Sequence, residues 1–411
     1  MNGQMRPVNF GRIRARLDAL AEIGPIAGGG SCRLALTDAD RDGRDLVRNW
    51  MEDLGLRVDI DRIGNVTATW PADRFDPPLL IGSHIDTVAT GGRNDGNLGV
   101  LAGLEVIETL IESGVSTTHP VAVAFFTDEE GSRFAPDMLG SQVFVGGMAL
   151  EEALDLVAID GARLGSELAR IGYAGPGPCP AHPPHAYLEL HIEQGPVLEA
   201  QGATIGVVTG VQGISWTELT ITGQSNHAGT TPMALRHDAG YTAARVATFV
   251  RELATEMGPP QVATVGRIEL RPNLVNVVAS TATMTVDLRN TDEAELARAE
   301  AALAEAAEKV AAAEGVTVRS RRLARYAPVE FATPVVDLVE RVATDQGWSV
   351  MRLPSGAGHD AQMLARVCPA GMVFVPSAGG ISHNPAEHTE DADLEAGANV
   401  LLGCALELAG A

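Results

Sequence analysis

Apolar positions along this chain fall into two textures. From residue 1 to about 210, short and almost wholly apolar runs alternate with longer stretches whose apolar residues recur every three to four positions. The runs PPLLIGS, PVAVAFF and YLELHIEQG predict strands buried on both faces. TDADRDGRDLVRNWMEDLG and NLGVLAGLEVIETLIESG predict helices, the first ending with Gly55 just past its last turn. LRVDIDRIGNVTATW predicts two strands joined around Gly64-Asn65. This α/β alternation implies a mostly parallel sheet covered on both faces.

Between 211 and 327 the period changes to two. WTELTITG and ATMTVDLRN alternate as half-exposed antiparallel strands do. In the second, Thr281, Thr283, Thr285, Asp287 and Arg289 share one face, and Ala282, Met284, Val286 and Leu288 the other. A helix opens at Asp292 with Glu295 three residues on, a capping-box-like start, and closes at Gly315. From 328 the first texture returns with GMVFVPS. The organisation predicted is a discontinuous domain of residues 1–210 and 328–411, interrupted by a smaller α+β domain of residues 211–327.

With 411 residues, the chain exceeds the usual size of one core, in keeping with two domains. The formal charge of −23 argues against a nucleic-acid partner, which needs a basic footprint. No run approaches 18 uninterrupted apolar residues, so no membrane span is expected, and the amino terminus shows no apolar leader. Cys32, Cys179, Cys368 and Cys404 lie far apart without a C-x-x-C pair, which fits a reducing cytoplasm. Of the 30 basic residues one is lysine, Lys309, in an Ala/Glu helix. That placement disfavours Schiff-base and P-loop chemistry. G-x-S-x-G and H-E-x-x-H are both absent.

Ligands of open α/β sheets bind beyond the carboxyl ends of the strands. After PPLLIGS come His84, Asp86 and Asp95; after PVAVAFFTD come Glu129 and Glu130; YLELHIEQG carries His191; and GMVFVPSAGGIS leads to His383. Four segments thus deliver imidazole or carboxylate to one edge. Histidines and carboxylates without thiolate suit zinc, manganese or cobalt, with a pair of ions sharing one carboxylate. Such a pair holds a hydroxide and polarises a carbonyl. Asp86, two residues after His84, is placed to accept the other N–H of that imidazole. Of the adjacent Glu129 and Glu130, one would bind metal and the other move a proton. His119, His182, His185 and His388 are read as structural or exposed.

GSHIDTV, GGRNDGNLGVLAGLEV, FTDEEGSRF, LHIEQGPVLE, NHAGTTPM, RPNLVNVV, SGAGHDA and GISHNPAE follow one another in order. Together they resemble the hydantoinase/carbamoylase family of dinuclear metal amidohydrolases, which includes N-carbamoyl-L-amino acid hydrolases, β-ureidopropionases and allantoate amidohydrolases. The resemblance implies a zinc-peptidase-like catalytic domain with an inserted lid that also forms a homodimer. It implies two divalent ions per subunit, zinc or else manganese, cobalt or nickel. His84 and His191 would hold one, Glu130 and His383 the other, and Asp95 would bridge them. Glu129 would be the general base. His227, from the neighbouring subunit, would stabilise the tetrahedral oxyanion. Asn276 and Arg289 would clamp the substrate carboxylate, a role the rigid fork of an arginine on a strand's polar face also suits. Gln194 and Gly358 would line the pocket.

Two positions depart from the family pattern. Asn94 stands before Asp95 where an aromatic residue is usual, and Ala279-Ser280 replaces a Pro-Gly turn. The expected activity is hydrolysis of the carbamoyl group of an N-carbamoyl-L-amino acid. Allantoate or 3-ureidopropionate hydrolysis, and more distantly N-acyl or dipeptide hydrolysis, use the same machinery. A catalytically dead binding protein on this fold would not need the intact ligand set and Glu129.

Overall fold

A computed structural model describes residues 6–411; the first five, part of the stretch inspected for a leader, lie outside the described residues. The chain forms two compact units, the larger comprising the chain up to Gly210 with Glu330–Ala411, and the smaller Val211–Val329.

Strands β1 (Arg57–Ile60), β2 (Val66–Trp70), β3 (Leu79–His84), β4 (Val121–Phe126), β5 (Ala186–Ile192) and β6 (Ile205–Val211) precede the smaller unit. That unit carries β7 (Gly213–Thr222), β8 (Val262–Arg271), β9 (Thr281–Asn290) and β10 (Thr317–Tyr326). After it come β11 (Val329–Glu330), β12 (Val350–Ser355) and β13 (Ala370–Val375).

The large sheet runs β1-β2-β4-β3-β5-β13-β6-β11, with β12 also paired to β6. Its centre, β4-β3-β5-β13, is parallel, and every residue of these four strands is buried. A strand covered on both faces has no use for alternation, which is why these segments read as continuous apolar runs. The flanks correct the expectation of a mostly parallel sheet: β1–β2, β2–β4 and β13–β6 are antiparallel, so the sheet is mixed. Residues 61–65 between β1 and β2 allow only a hairpin, because a parallel crossover needs about a dozen residues or more. The helix Asn97–Ser113 packs on β3, β4 and β5, and the helix Asp391–Ala409 on β5 and β13. None of the helices among the described residues is long and apolar enough to cross a membrane.

The smaller unit is a four-stranded antiparallel sheet, β10-β7-β9-β8, with the helices Ala239–Met257 and Glu293–Glu314. In β9 the alternate residues Ala282, Met284, Val286 and Leu288 are buried against Val246, Leu296 and Leu303 of the helices. Asp292 caps the second helix by accepting the Glu295 N–H at 2.9 Å.

Candidate metal centre

Because β4, β3, β5 and β13 are parallel neighbours, their carboxyl ends share one edge of the sheet. His84 ends β3, His191 is the penultimate residue of β5, Glu129 and Glu130 follow β4, and His383 lies in the loop after β13. Asp95 comes from the turn between β3 and the helix Asn97–Ser113 and stands at the middle. Its Oδ1 lies 3.2 Å from His191 Nε2 and 3.7 Å from His84 Nε2. Its Oδ2 lies 3.4 Å from His383 Nε2, which is in turn 3.2 Å from Glu130 Oε2. The side chains therefore form two donor groups, His84–Asp95–His191 and Asp95–Glu130–His383, with one carboxylate in common.

The backbone sets this arrangement up. Gly96, at φ 67° and ψ −49°, precedes the first helical turn, and a Cβ there would meet the His84 ring at 2.4 Å. Both the left-handed backbone and the close approach require glycine. Buried Arg33 donates to the Ile85 carbonyl at 3.2 Å and to Asn97 Oδ1 at 2.9 Å, tying the end of β3 to the segment after Asp95. Glu130 Oε1 accepts the Val88 N–H at 3.3 Å, while Oε2 faces His383.

Asp86 differs from expectation. The His84 Nδ1 partner is the backbone carbonyl of Asp86, at 2.9 Å, and not its carboxylate. That carboxylate turns instead to the backbone N–H groups of Glu129 (3.3 Å) and Glu130 (3.4 Å). Two donors that would otherwise be buried unpaired outcompete a ring whose partner the backbone already supplies. Asp86 thus holds the two glutamates, and only its main chain orients the imidazole.

The donor set fits a divalent ion. His84 Nδ1 and His191 Nδ1 contact the carbonyls of Asp86 and Ile192, so each ring holds a proton at Nδ1, and Nε2 is the atom that would turn a lone pair to an ion. Ligand atoms about 2.0–2.1 Å from a tetrahedral zinc stand roughly 3.3 Å apart. The separations of 3.2, 3.4 and 3.7 Å between the Asp95 oxygens and the three histidine Nε2 atoms lie close to that value.

Electrostatics follow from packing so many charges out of water. Burial disfavours charge on His191, but the hydrogen bond and charge of Asp95, with Glu189, raise it to about 9. His383, hydrogen-bonded to Asp95 and Glu130, is raised to about 11. Burial pushes the Asp95 carboxyl up, yet His191 and His383 outweigh it and hold the group well below its usual range. Glu129 moves the other way: burial first, then Asp360, Glu130, Asp86 and Glu189, raise it well above an ordinary glutamate. Its Oε2 is 3.4 Å from His84 Nε2. A carboxyl with raised proton affinity is suited to accepting and returning a proton.

Other expected residues are placed as follows. Gln194 donates Nε2 to Asp95 Oδ2 at 2.8 Å, so it touches the shared carboxylate itself. Gly358 lies against Met138 and Asp137, in the segment after Glu129 and Glu130. Asn94 is buried beside Asp95, and its Oδ1 has no hydrogen-bond partner. His119 and His185 stack on each other with ring centroids 3.6 Å apart. In the smaller unit His227 is exposed, and its Nδ1 accepts the N–H groups of Gly229 (3.0 Å) and Thr230 (3.3 Å). That leaves Nε2 of this exposed ring as the nitrogen that carries a proton and can donate. Asn276 is exposed, its carbonyl accepting the Ala228 N–H at 2.9 Å. Arg289 pairs with Asp287 on the same strand face at 2.8 Å.

Two features escaped the sequence. Glu387, in GISHNPAE, is buried and accepts the N–H groups of Asn94 and Asp95. His359, in SGAGHDA, is buried with its ring edge-on to His191 at 4.6 Å, and Glu189 completes a third group with both. Both lie in motifs singled out for resemblance, but neither spacing nor strand position marks them.

Known proteins are similar to this chain along most of its length. The profile of peptidase family M20/M25/M40 matches residues 80–407. An N-carbamoyl-L-amino-acid amidohydrolase of Rhizobium meliloti is 43% identical over 99% of this chain and 98% of its own. One from Geobacillus stearothermophilus is 40% identical over 97% of this chain and 98% of its own. The crystal structure of an amidase of the hydantoinase/carbamoylase family from Burkholderia multivorans superposes with a TM-score of 0.93, at 46% identity, covering 98% of each chain.

Proposed function

Since the chain belongs to peptidase family M20/M25/M40, and within it to the hydantoinase/carbamoylase amidases, we propose that it hydrolyses the carbamoyl C–N bond of an N-carbamoyl-L-amino acid. One water is consumed, and the products are the L-amino acid, CO2 and NH3. The observation that carries this reading is the division of Asp95, whose Oδ1 faces His84 and His191 while Oδ2 faces His383. That division supports two divalent ions, zinc or else manganese, cobalt or nickel, held by His84, His191, Asp95, Glu130 and His383. When bound, the pair supplies carbonyl polarisation and a nucleophile at neutral pH.

The chain's own groups do the rest. Glu129 takes a proton from the attacking water and later delivers one to the leaving nitrogen, for which its raised proton affinity suits it. Asp86 keeps Glu129 and Glu130 in place through their backbone N–H groups. Gln194 steadies Asp95. We assign the smaller unit as lid and homodimer contact, with His227 Nε2–H of a neighbouring subunit donating to the developing oxyanion. Arg289 and Asn276 clamp the substrate carboxylate, and Gly358 lines the pocket.

The test is a release assay on purified, metal-loaded protein. N-carbamoyl-L-amino acids, 3-ureidopropionate, allantoate and N-acyl amino acids are compared, scored as ammonia or free amine. Turnover confined to N-carbamoyl-L-amino acids is expected. Preference for allantoate or for an N-acyl amino acid would replace the substrate, and no turnover with any would defeat the reading. Mixing inactive His227→Ala and Glu129→Gln subunits should restore some turnover; none in verified heterodimers removes the shared-site assignment.

A further inference from the structure

We propose that Glu387 is a positioning residue for the shared carboxylate, holding the Asn94-Asp95 backbone so that Asp95 presents one oxygen to each donor group. The inference rests on the reading of Asp95 as a ligand common to two ions.

A bridging carboxylate tolerates little misplacement, because a small rotation that favours one ion turns the other oxygen away from its partner. Within its own segment the Asp95 carbonyl accepts the Asn97 N–H at 2.7 Å and the Asn94 carbonyl the Leu98 N–H at 2.9 Å, which leaves the two N–H groups of the turn to be held from elsewhere. The helix that follows is preceded by Gly96, which has no side chain with which to cap it. The anchor of those N–H groups comes from far along the chain. Glu387 Oε1 accepts the Asn94 N–H at 3.0 Å and the Asp95 N–H at 3.2 Å. Charge-assisted bonds of this kind are among the stronger ones a backbone can make. Glu387 belongs to neither donor group, so its carboxylate is spent on the turn and not on a cation.

Two further contacts tie the same carboxylate to the site. Ser382 Oγ lies 3.1 Å from Asp95 Oδ2 and 3.2 Å from Glu387 Oε2, so its one proton can serve either acid. Ser382 precedes His383, and Glu387 therefore couples the turn bearing Asp95 to the loop bearing the outer histidine. Gly92 provides the space. A Cβ built there would come within 2.1 Å of the Glu387 carboxyl carbon and of Oε1. Gly92 does not occupy the left-handed region, so the reason for glycine is room for this carboxylate and not backbone freedom.

Groups that orient metal ligands typically contribute about 10- to 100-fold in metal affinity. The test measures Zn²⁺ affinity and stoichiometry of the metal-free full-length protein by chelator competition, with its thermal melt as a control for folding. Glu387→Ala should lose about 10- to 100-fold in affinity. Glu387→Gln should recover most of the loss, because the amide oxygen still accepts both N–H groups. Gly92→Ala should mimic Glu387→Ala by displacing an unaltered carboxylate, and should cost nothing further when added to Glu387→Ala. A merely structural role would lower the melting temperature without this rescue or this non-additivity. Wild-type affinity in folded Glu387→Ala and Gly92→Ala overturns the proposal. If Glu387→Ala does not fold, Gly92→Ala and Glu387→Gln decide by the same criterion. Should wild-type protein bind no Zn²⁺, or Asp95→Asn leave its binding unchanged, the metal reading itself falls and this inference with it.

Discussion

The two donor groups that meet at Asp95 are built from different material. On the Oδ1 side, His84 and His191 stand on adjacent parallel strands, are buried, and have their Nδ1 atoms fixed by main-chain carbonyls. On the Oδ2 side, Glu130 and His383 come from loops, and the His383 side chain is 50% exposed with a left-handed backbone at φ 54°. The sheet preforms the inner half, whereas the outer half depends on contacts between loops, among them Thr90 Oγ1 to the His383 carbonyl and the Ser382–Glu387 pair. A site assembled this way has one rigid wall and one adjustable wall, with Asp95 as the hinge of both.

The largest effect should come from removing what the halves share. Asp95→Ala is expected to abolish binding of both ions and bring turnover to background, measured by metal analysis of the purified protein. One retained equivalent would show that the halves are independent. Next in size is Glu129→Gln, which belongs to neither donor group. It should leave metal content near normal while turnover falls about 10²- to 10⁴-fold. Retained turnover would dismiss Glu129 as the proton carrier.

The inner wall was easier to read from the chain than the outer one, for physical reasons. Period two in β9 and the unbroken apolar runs of β3, β4, β5 and β13 are direct consequences of burial on one face or on two. Parallel neighbours then oblige the residues after those runs to share an edge. Apolar runs do not encode strand direction, so the antiparallel β2–β4 and β13–β6 pairings are not legible in the chain, whereas the β1–β2 hairpin is legible in its Gly64-Asn65 turn. The contact at His84 is not legible in the H-x-D spacing, which does not reveal whether the main chain or the carboxylate of Asp86 reaches the imidazole. Glu387 is brought to the Asp95 N–H from a segment 292 positions away in sequence, and only tertiary structure makes that pairing visible. His227, Asn276 and Arg289 are exposed or paired within their own unit, so only the family resemblance distinguishes them from ordinary surface residues.

The difference between the walls should also register in stability. In metal-free protein, His191→Ala leaves the buried Asp95 Oδ1 without its 3.2 Å partner, an unpaired group costing about 1–3 kcal/mol. His383→Ala should cost less, because solvent already reaches half of that ring and can replace its contacts. Urea unfolding of both variants without metal measures the gap. Equal losses would remove the contrast between a preformed and an adjustable half.

The smallest expected effect is a pH dependence of the metal-free protein, and it separates the halves by window. An unfolded histidine loses its proton near pH 6.5. In the folded protein His191 keeps it up to about 9, because Asp95 faces it in a buried setting. A folded-state value above the unfolded one means that the stabilisation is complete below about pH 6.5 and drains away as pH rises through about 9. His383, raised to about 11, should retain its share over that interval, though solvent screening keeps the share small. The thermal midpoint of metal-free protein should therefore fall between pH 7 and 9.5, and His191→Ala should flatten that fall while His383→Ala leaves it in place. Saturating Zn²⁺ should reverse the trend in affinity, because an ion must displace these protons and so binds better as pH rises. A melting profile that is flat across this range in the metal-free protein would mean that His191 and Asp95 do not form an ion pair there.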